Sequence, residues 1–159
     1  VAEVISENGG IALRSRVGHS YIKTLMAESG AVFGGEHSGH FYFGDFWRAD
    51  SGMLAALYAL AELMATPKSL SNLLEPYNRY FSSGEINSKV KDASKSIKLV
   101  RDKYQDKYQV DELDGLTVTA ENWWFNLRPS NTEPLLRLNV EADTQKQMAE
   151  IRDTVLNLI

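Results

Sequence analysis

A short segment near the C-terminus, RPSNTEP at 128–134, contains the residue types that a phosphate monoester needs. Arg128 offers a planar fork of N–H donors that matches phosphate oxygens. Ser130, Asn131 and Thr132 add short donors, and a tight turn can direct backbone N–H groups at the same anion. The prolines at both ends stiffen the segment, so less entropy is lost on binding. Both a phosphate-binding loop and an ordinary polar turn between strands fit this composition. We call residues 128–134 the phosphate loop.

A second segment, GGEHSGH at 34–40, has groups suited to hydroxyls. Its three glycines let the backbone approach a ligand closely. Glu36 has two acceptor oxygens for neighbouring sugar hydroxyls, and Ser38 can donate or accept. A glycine-rich strand connection is the structural alternative. A metal site made by Glu36, His37 and His40 is disfavoured, because a flexible glycine loop holds three ligands poorly. We call residues 34–40 the sugar loop.

A third segment, RVGHS at 16–20, precedes a predicted helix. Serine is a favoured N-cap residue, so the spacing favours His19 and Ser20 as helix caps. The functional alternative places the His19 imidazole beside an anion or a reacting hydroxyl. Arg137, on a later predicted strand, is either a second positive charge for the anion or part of a solvated strand face. We expect the three tryptophans in the core or an interface, since no basic residues are interleaved with them.

Composition excludes several classes of function. The net charge of −4 and the pI near 5.4 argue against a general nucleic-acid or anionic-membrane partner, which needs a basic face. The absence of cysteine excludes disulfides, thiolate nucleophiles and cysteine-ligated metals. No apolar stretch is long enough to span a bilayer and no signal peptide is seen, so we expect a cytoplasmic protein. The sequence has no P-loop, GxSxG elbow, acidic metal cluster or poised nucleophile.

Helices and strands alternate in the part of the chain that contains the segments 16–20 and 34–40. Glycines at helix ends and helical spacing predict helices at 2–7, 20–29 and 51–65, with strands at 11–15, 31–33 and 41–46. The helix at 51–65 is apolar around most of its circumference, so we expect it to be buried. This order is typical of part of an α/β layer.

A break at 75–84 indicates a domain boundary at about residue 78. Beyond it we predict a helix at 91–105 and a hairpin turn at Asp114-Gly115. Strict alternation of apolar and polar residues at 123–128 and 135–142 predicts an antiparallel sheet with one buried face, which a helix at 144–159 covers. The predicted fold is therefore a partial α/β layer followed by an α+β domain, whose antiparallel sheet is covered by helices.

Three segments together resemble signatures of the α-D-phosphohexomutase family: VGHSYIK at 17–23, GGEHSGHFYF at 34–43 and RPSNTEPLLRLNVEA at 128–142. The three segments occur in the same order as in the family, and the resemblance extends over almost the whole chain. It is closest to the phosphomannomutase/phosphoglucomutase branch, since phosphoglucosamine mutases usually have glycine where this chain has Asn131. The family has four domains around a cleft. The resemblance implies that residues 1–77 are the later half of domain 3 and 78–159 are domain 4.

The same resemblance implies roles for individual residues. Glu36 and Ser38 would bind ring hydroxyls of the substrate, and His19 would line the cleft beside them. His37 stands at a position that varies in the family and receives no role. The phosphate that is not transferred would be bound by four residues of the phosphate loop: Arg128, Ser130, Asn131 and Thr132.

The activity implied is the interconversion of hexose 6-phosphate and hexose 1-phosphate, through a phosphoserine, Mg²⁺ and a hexose 1,6-bisphosphate intermediate. The family's phosphoserine loop and aspartate-rich magnesium loop do not occur in this sequence. The chain also begins without Met, so we expect a fragment that binds substrate, lacks catalytic and metal residues, and depends on missing N-terminal domains. The alternatives are a portion of a phosphoglucosamine mutase and a non-catalytic sugar-phosphate-binding module.

Overall fold

The computed structural model describes residues 1–130 and 133–159. Asn131 and Thr132, two of the predicted phosphate-binding residues, lie outside the described residues. The chain forms two compact units, Val1–Asn78 and Arg79–Ile159. Each unit has its own strands and helices, and each is described by itself.

The first unit is built on a small antiparallel sheet. Its strands β1 (Phe33–Gly35), β2 (Phe41–Phe43) and β3 (Ala49–Asp50) are hydrogen-bonded in that order. The helices are α1 (Ala2–Glu7), α2 (His19–Ser29), α3 (Gly52–Met64) and α4 (Leu70–Leu74), followed by a 3₁₀ turn at Glu75–Tyr77. Helix α2 packs on the sheet so closely that a Cβ on Gly34 would lie 3.1 Å from both Ile22 and Met26. Glycine at this position therefore sets how near α2 comes to the sheet.

Three strand predictions in this unit differ from the structure. No strand forms at 11–15, where the chain is irregular and pairs with no strand of the described residues; a strand depends on a neighbour for its hydrogen bonds. The strand predicted at 41–46 ends at Phe43, because a turn follows in which Trp47 and Arg48 have φ of 52° and 54°. The strand predicted at 31–33 begins only at Phe33. Local composition indicated these strands, but pairing and turn geometry set their bounds.

Helix α3 contradicts the expectation of burial. It has no buried residue, and Met53 and Met64 are 78% and 86% exposed. On one side Tyr58 stacks on Phe43, with ring centroids 5.5 Å apart. Apolar composition shows a tendency to be covered but does not supply the covering chain. Across 1–130 and 133–159, the helices all fall short of the length and apolarity that crossing a membrane requires.

The second unit contains a six-stranded antiparallel sheet, whose strands are β4 (Phe81–Ser82), β5 (Ile86–Lys89), β6 (Gln109–Asp111), β7 (Leu116–Thr119), β8 (Trp123–Pro129) and β9 (Leu135–Ala142). They pair in the order β4-β9-β8-β7-β6, and β5 is also paired to β9. The predicted hairpin at Asp114-Gly115 is confirmed, and Gly115 takes the left-handed conformation at φ 70°. Helices α5 (Ala93–Tyr104) and α6 (Gln145–Leu156) complete the unit.

The core of the second unit lies between the sheet and these helices. Alternate residues of β8 and β9 are buried, as their period-two pattern predicts: Trp123, Phe125, Leu127, Leu136, Leu138, Val140 and Ala142. Val100 and Tyr104 of α5 and Met148 and Val155 of α6 pack against that face. The predicted fold class, a partial α/β layer followed by an α+β domain with a helix-covered antiparallel sheet, is confirmed.

Candidate functional site

The carboxylate of Glu36 in the sugar loop is held by a backbone N–H of a distant residue. Gly18 is the N-cap of α2 with φ of 129°, and its N–H donates to Oε1 of Glu36 at 3.0 Å. Neither His19 nor Ser20 caps the helix, so the prediction of a side-chain cap was wrong. The chain enters α2 in a conformation suited to glycine, which makes His19 the first helical residue and leaves its imidazole free for other contacts.

Tyr42 links Glu36 of the sugar loop to His19 of α2. Its hydroxyl donates to Oε2 of Glu36 at 2.6 Å and lies 2.9 Å from Nδ1 of His19. Because the hydroxyl has one proton and gives it to the carboxylate, Nδ1 of His19 is the donor in the second bond. Tyr42 is fully buried, and burial together with the bond to Glu36 raises its pKa far above the ordinary tyrosine value.

Sequence reasoning missed Tyr42, although one signal was available. In β2 the phenylalanines at 41 and 43 lie on one face, so Tyr42 lies on the other face, toward the core. A buried tyrosine hydroxyl almost always has a hydrogen-bond partner. That rule could have pointed to a polar group at the sheet, but it could not have identified Glu36 as that group.

The turn of the sugar loop is short and closed by its own backbone. The N–H of Glu36 donates to the carbonyl of His40 at 2.9 Å, and that of Gly39 donates to the carbonyl of Glu36 at 3.0 Å. Ser38 and His37 are exposed at the tip, and Gly39 has φ of 84°. Ser38 is therefore open to a ligand, whereas Glu36 is half-buried with its carboxylate already oriented.

His40 forms an ion pair across the sheet. Its Nδ1 lies 2.7 Å from Oδ2 of Asp50, and the Phe41 N–H donates to Oδ1 of the same carboxylate at 2.9 Å. The bond to Asp50 raises the pKa of His40, and the bond to His40 lowers the pKa of Asp50. The rings of His19 and His40 meet edge to face, with centroids 4.7 Å apart. Sequence reasoning did not identify Asp50, because its place beside residues 40–42 depends on the pairing of β3 with β2.

In the second unit, β8 and β9 place two arginines side by side. Arg128 is directly opposite Arg137 in the strand register, and the two side chains are 15% and 26% exposed. Glu85 lies between them, 3.4 Å from Nη2 of Arg128 and 3.6 Å from Nη1 of Arg137. Arg137 also donates to Oγ of Ser130 at 3.2 Å. Arg128 and Ser130 of the phosphate loop and Arg137 of β9 therefore bring two cations and a hydroxyl together at one end of the sheet.

The phosphate loop is closed by a backbone bond from the N–H of Ser130 to the carbonyl of Leu135 at 2.8 Å. Of the four predicted phosphate-binding residues, the structure describes Arg128 and Ser130. Arg128 and Arg137 share the Glu85 carboxylate, and Ser130 is bonded directly to Arg137. The predicted sugar-binding residues Glu36 and His19 meet through Tyr42 in the first unit.

Comparison with known proteins identifies the family of both units. Residues 1–80 match the phosphoglucomutase/phosphomannomutase α/β/α domain III, and residues 85–158 match the C-terminal domain of the same family. The chain belongs to the phosphoglucomutase/phosphomannomutase family. The resemblance found in the three sequence segments is thereby confirmed.

Individual relatives place the chain within this family more closely. It is 48% identical over 159 residues to a phosphomannomutase of Methanocaldococcus jannaschii, covering 100% of this chain and 35% of that protein. It is 39% identical over 160 residues to a phosphomannomutase of Escherichia coli K12, covering 99% and 35%. A crystal structure of a phosphoglucomutase/phosphomannomutase family protein from Burkholderia thailandensis superposes with a TM-score of 0.83 at 31% identity, over 99% of this chain and 34% of that one. The chain spans about a third of the length of the relatives it matches.

The Mg²⁺ expected from the family does not fit the metal-capable groups of the described residues. Within 1–130 and 133–159, three such side chains come together, His19, Glu36 and His40, with ligand atoms within 4.8 Å of one another. Mg²⁺ takes oxygen ligands in an octahedron, whereas two of these three donors are imidazole nitrogens. The cluster also differs from the disfavoured Glu36, His37 and His40 set, because His19 takes the place of His37.

Proposed function

We propose that this chain is the substrate-binding C-terminal portion of a phosphomannomutase/phosphoglucomutase, which interconverts hexose 6-phosphate and hexose 1-phosphate. In this proposal residues 1–77 are the later half of domain 3 and 78–159 are domain 4. Membership of the family supports it. The single observation that carries it is the carboxylate of Glu36, which Gly18 and Tyr42 hold ready for hydroxyl donors.

The sugar half of the proposal rests on how Glu36 is arranged. One oxygen accepts from the Gly18 N–H and the other from the Tyr42 hydroxyl. Each carboxylate oxygen retains a further lone pair, so two adjacent sugar hydroxyls can donate to the same group. Because the carboxylate is already fixed, little rotamer entropy remains to be lost on binding. Ser38 at the exposed tip and His19 at the start of α2 complete the proposed sugar contacts.

The phosphate half rests on the arginine pair in the second unit. Arg128 and Arg137 lie opposite each other and share the Glu85 carboxylate, and this arrangement supports the proposal of an anion site here. A phosphate monoester has more acceptor oxygens than Glu85 and a larger charge, so it can bond to both guanidinium groups and to Ser130. Asn131 and Thr132 are proposed as further ligands of the phosphate that is not transferred.

Catalysis is proposed to need the rest of the protein. The phosphoserine, Mg²⁺ and its ligands would lie outside this sequence, and hexose 1,6-bisphosphate would be the intermediate and a ligand of the same contacts. We therefore expect the 159-residue chain to bind hexose phosphates without mutase turnover, and the whole protein to work in the cytoplasm. Measurable turnover by the purified chain would contradict this part of the proposal.

An NMR titration of the chain with mannose 6-phosphate, glucose 6-phosphate and inorganic phosphate tests the binding. We expect the signals of residues 128–132 to shift with all three ligands, and those of Glu36 and Ser38 to shift only with the sugars. An absence of shifts at several millimolar ligand would contradict binding by this chain. A parallel titration with glucosamine 6-phosphate distinguishes the hexosamine alternative, because clearly tighter binding of the amino sugar would favour it.

A further inference from the structure

The cluster of His19, Glu36 and His40 has the donor set of a transition-metal site. Its three ligand atoms lie within 4.8 Å of one another. Ligand atoms around a tetrahedral Zn²⁺ are about 3.3 Å apart, given metal–ligand bonds of roughly 2.0–2.1 Å. Binding of an ion must therefore shorten these separations by up to about 1.5 Å.

Both imidazoles already have the second hydrogen bond that metal-binding histidines require. Nδ1 of His40 is bonded to the Asp50 carboxylate at 2.7 Å, and Nδ1 of His19 donates to the Tyr42 hydroxyl at 2.9 Å. Metal-ligating histidines almost always bond in this way through the ring nitrogen that does not bind the metal, which fixes tautomer and ring orientation. In each ring, Nε2 is then the nitrogen left for the ion.

The backbone holds the three ligands more firmly than a flexible glycine loop would. His19 is the first residue of α2, and the bond from the Glu36 N–H to the His40 carbonyl closes the turn between the other two. The carboxylate of Glu36 is fixed by Gly18 and by Tyr42, which is fully buried. The objection to a metal site in this loop therefore does not apply to the set that includes His19.

The donor types also select the kind of metal. Two imidazoles and one carboxylate are a ligand set for Zn²⁺ and similar divalent transition metals, with a fourth position open to water. His19 is exposed and His40 is partly exposed, so an ion can reach the cluster from solvent. The set is unsuited to Mg²⁺, so this cluster is a different site from the one expected to bind Mg²⁺ in the family.

We infer that His19, Glu36 and His40 bind one Zn²⁺-type ion, and that the bound ion blocks the sugar loop. The blocking rests on the proposed function, because it requires that sugar hydroxyls use the same Glu36 carboxylate. Metal and hexose phosphate then exclude each other at this loop, and the metal acts as a competitive inhibitor of binding.

Titration of the metal-free 159-residue chain with Co²⁺, followed by its visible ligand-field bands, and with Zn²⁺, followed by calorimetry, tests the site. We expect one ion per chain, and a loss of affinity of about a hundredfold or more in His19→Ala and His40→Ala. His37→Ala is the matched control, since His37 is the third histidine of the sequence and lies outside the cluster. Equal weakening by all three substitutions, or by none, would overturn the inference.

Asp50→Asn is a second test that keeps all three ligands. Loss of the carboxylate behind His40 is expected to weaken Co²⁺ binding by about 10–100-fold while the ligand-field bands remain those of the same site. Far-UV circular dichroism confirms that each variant is folded. Affinity equal to that of the unsubstituted chain would contradict the proposal that Asp50 orients His40 as a metal ligand, and with it the metal site.

Addition of mannose 6-phosphate to the Co²⁺-loaded chain separates this inference from the proposed function. Displacement of Co²⁺ by the sugar phosphate, with no displacement by inorganic phosphate, supports both. If the sugar phosphate does not affect Co²⁺ binding, the metal site stands, but the inference that the ion blocks the sugar loop is overturned. If the chain binds no Co²⁺ but the NMR signals of Glu36 shift with the sugar phosphate, the metal site is overturned and the proposed function stands.

Discussion

The hydroxyl of Tyr42 donates to Oε2 of Glu36 across 2.6 Å, from a side chain that has no solvent exposure. This bond connects the core of the first unit to its sugar loop. A carboxylate on a glycine-rich turn would otherwise sample several rotamers, and the tyrosine restricts it to one. The orientation of the proposed sugar acceptor therefore depends on a residue with no proposed contact to the sugar.

Tyr42→Phe is expected to destabilise the chain by about 1–3 kcal/mol, because it removes a buried hydrogen bond to a charged group while keeping the ring. Affinity for mannose 6-phosphate should fall by about tenfold, with inorganic phosphate unaffected. Urea unfolding and ligand titration measure the two effects. Tyr58→Phe is the control, since Tyr58 is 64% exposed and should change neither quantity. Unchanged sugar affinity in Tyr42→Phe would show that Glu36 does not depend on this bond.

Arg128→Ala is expected to weaken the binding of inorganic phosphate and of hexose phosphates roughly ten- to hundredfold, the effect of losing a charge-assisted contact. Isothermal titration measures the dissociation constants. Arg101→Ala provides the comparison, because Arg101 pairs with Glu112 elsewhere in the same unit. A dissociation constant for Arg128→Ala equal to that of the unsubstituted chain would exclude Arg128 as a phosphate ligand.

Glu85→Gln is expected to increase phosphate affinity by about two- to fivefold. The Glu85 carboxylate neutralises Arg128 and Arg137 at 3.4 and 3.6 Å, distances at which an ion pair of this exposure is worth at most ~1 kcal/mol. Removing the charge makes both guanidinium groups available to the ligand. Glu112→Gln, which affects only the Arg101 pair, serves as the control in the same titration. Weaker phosphate binding in Glu85→Gln would mean that Glu85 orients the arginines rather than competing for them.

Gly115→Ala is expected to cost about 2–4 kcal/mol in stability and to disturb Arg128. Gly115 has φ of 70°, and an added Cβ would lie 2.6 Å from the Cβ of Arg128 and from the carbonyl oxygen of Leu127. Gly84→Ala separates the two causes: φ is 65° there, but no atom lies within 4 Å of the added carbon, so only ~1 kcal/mol is expected. Thermal and urea unfolding measure both variants. Equal costs would mean that the close approach to Arg128 is relieved without strain.

The His40–Asp50 pair predicts a defined pH dependence in the metal-free chain. The raised pKa of His40 stabilises the fold below the usual value of 6.5, and this contribution is lost as the pH rises through the raised pKa. The lowered pKa of Asp50 contributes above the usual 3.8, and its share is lost as the pH falls through the lowered pKa. The pair therefore stabilises most between these two usual values.

Proton NMR of the His40 ring, with a chelator present, measures this pair directly. We expect a titration midpoint above 6.5 that falls toward 6.5 in Asp50→Asn. Asp45→Asn is the control, because Asp45 lies in the turn between β2 and β3 and has no described bond to His40. A midpoint that does not respond to Asp50→Asn would contradict the ion pair.

Local patterns were sufficient for much of the second unit. The alternation at 123–128 and 135–142 predicted which residues of β8 and β9 are buried, and Asp114-Gly115 predicted the hairpin. Strand alternation has a period of two residues and the hairpin turn spans two, so residues close together in the sequence are enough to predict both. Residue types drew attention to both loops, and the resemblance of three ordered motifs to family signatures indicated the family, which the domain matches confirm.

Contacts between distant residues needed the tertiary structure. Tyr42 meets His19 and Asp50 meets His40 because α2 packs on the first sheet and β3 pairs with β2, and no local period records that pairing. The burial of α3 failed as a prediction for the same reason, since burial depends on which chain covers a surface. Residue type and spacing thus defined the chemical groups of this protein, while long-range packing and strand register brought them within bonding distance and fixed their orientation.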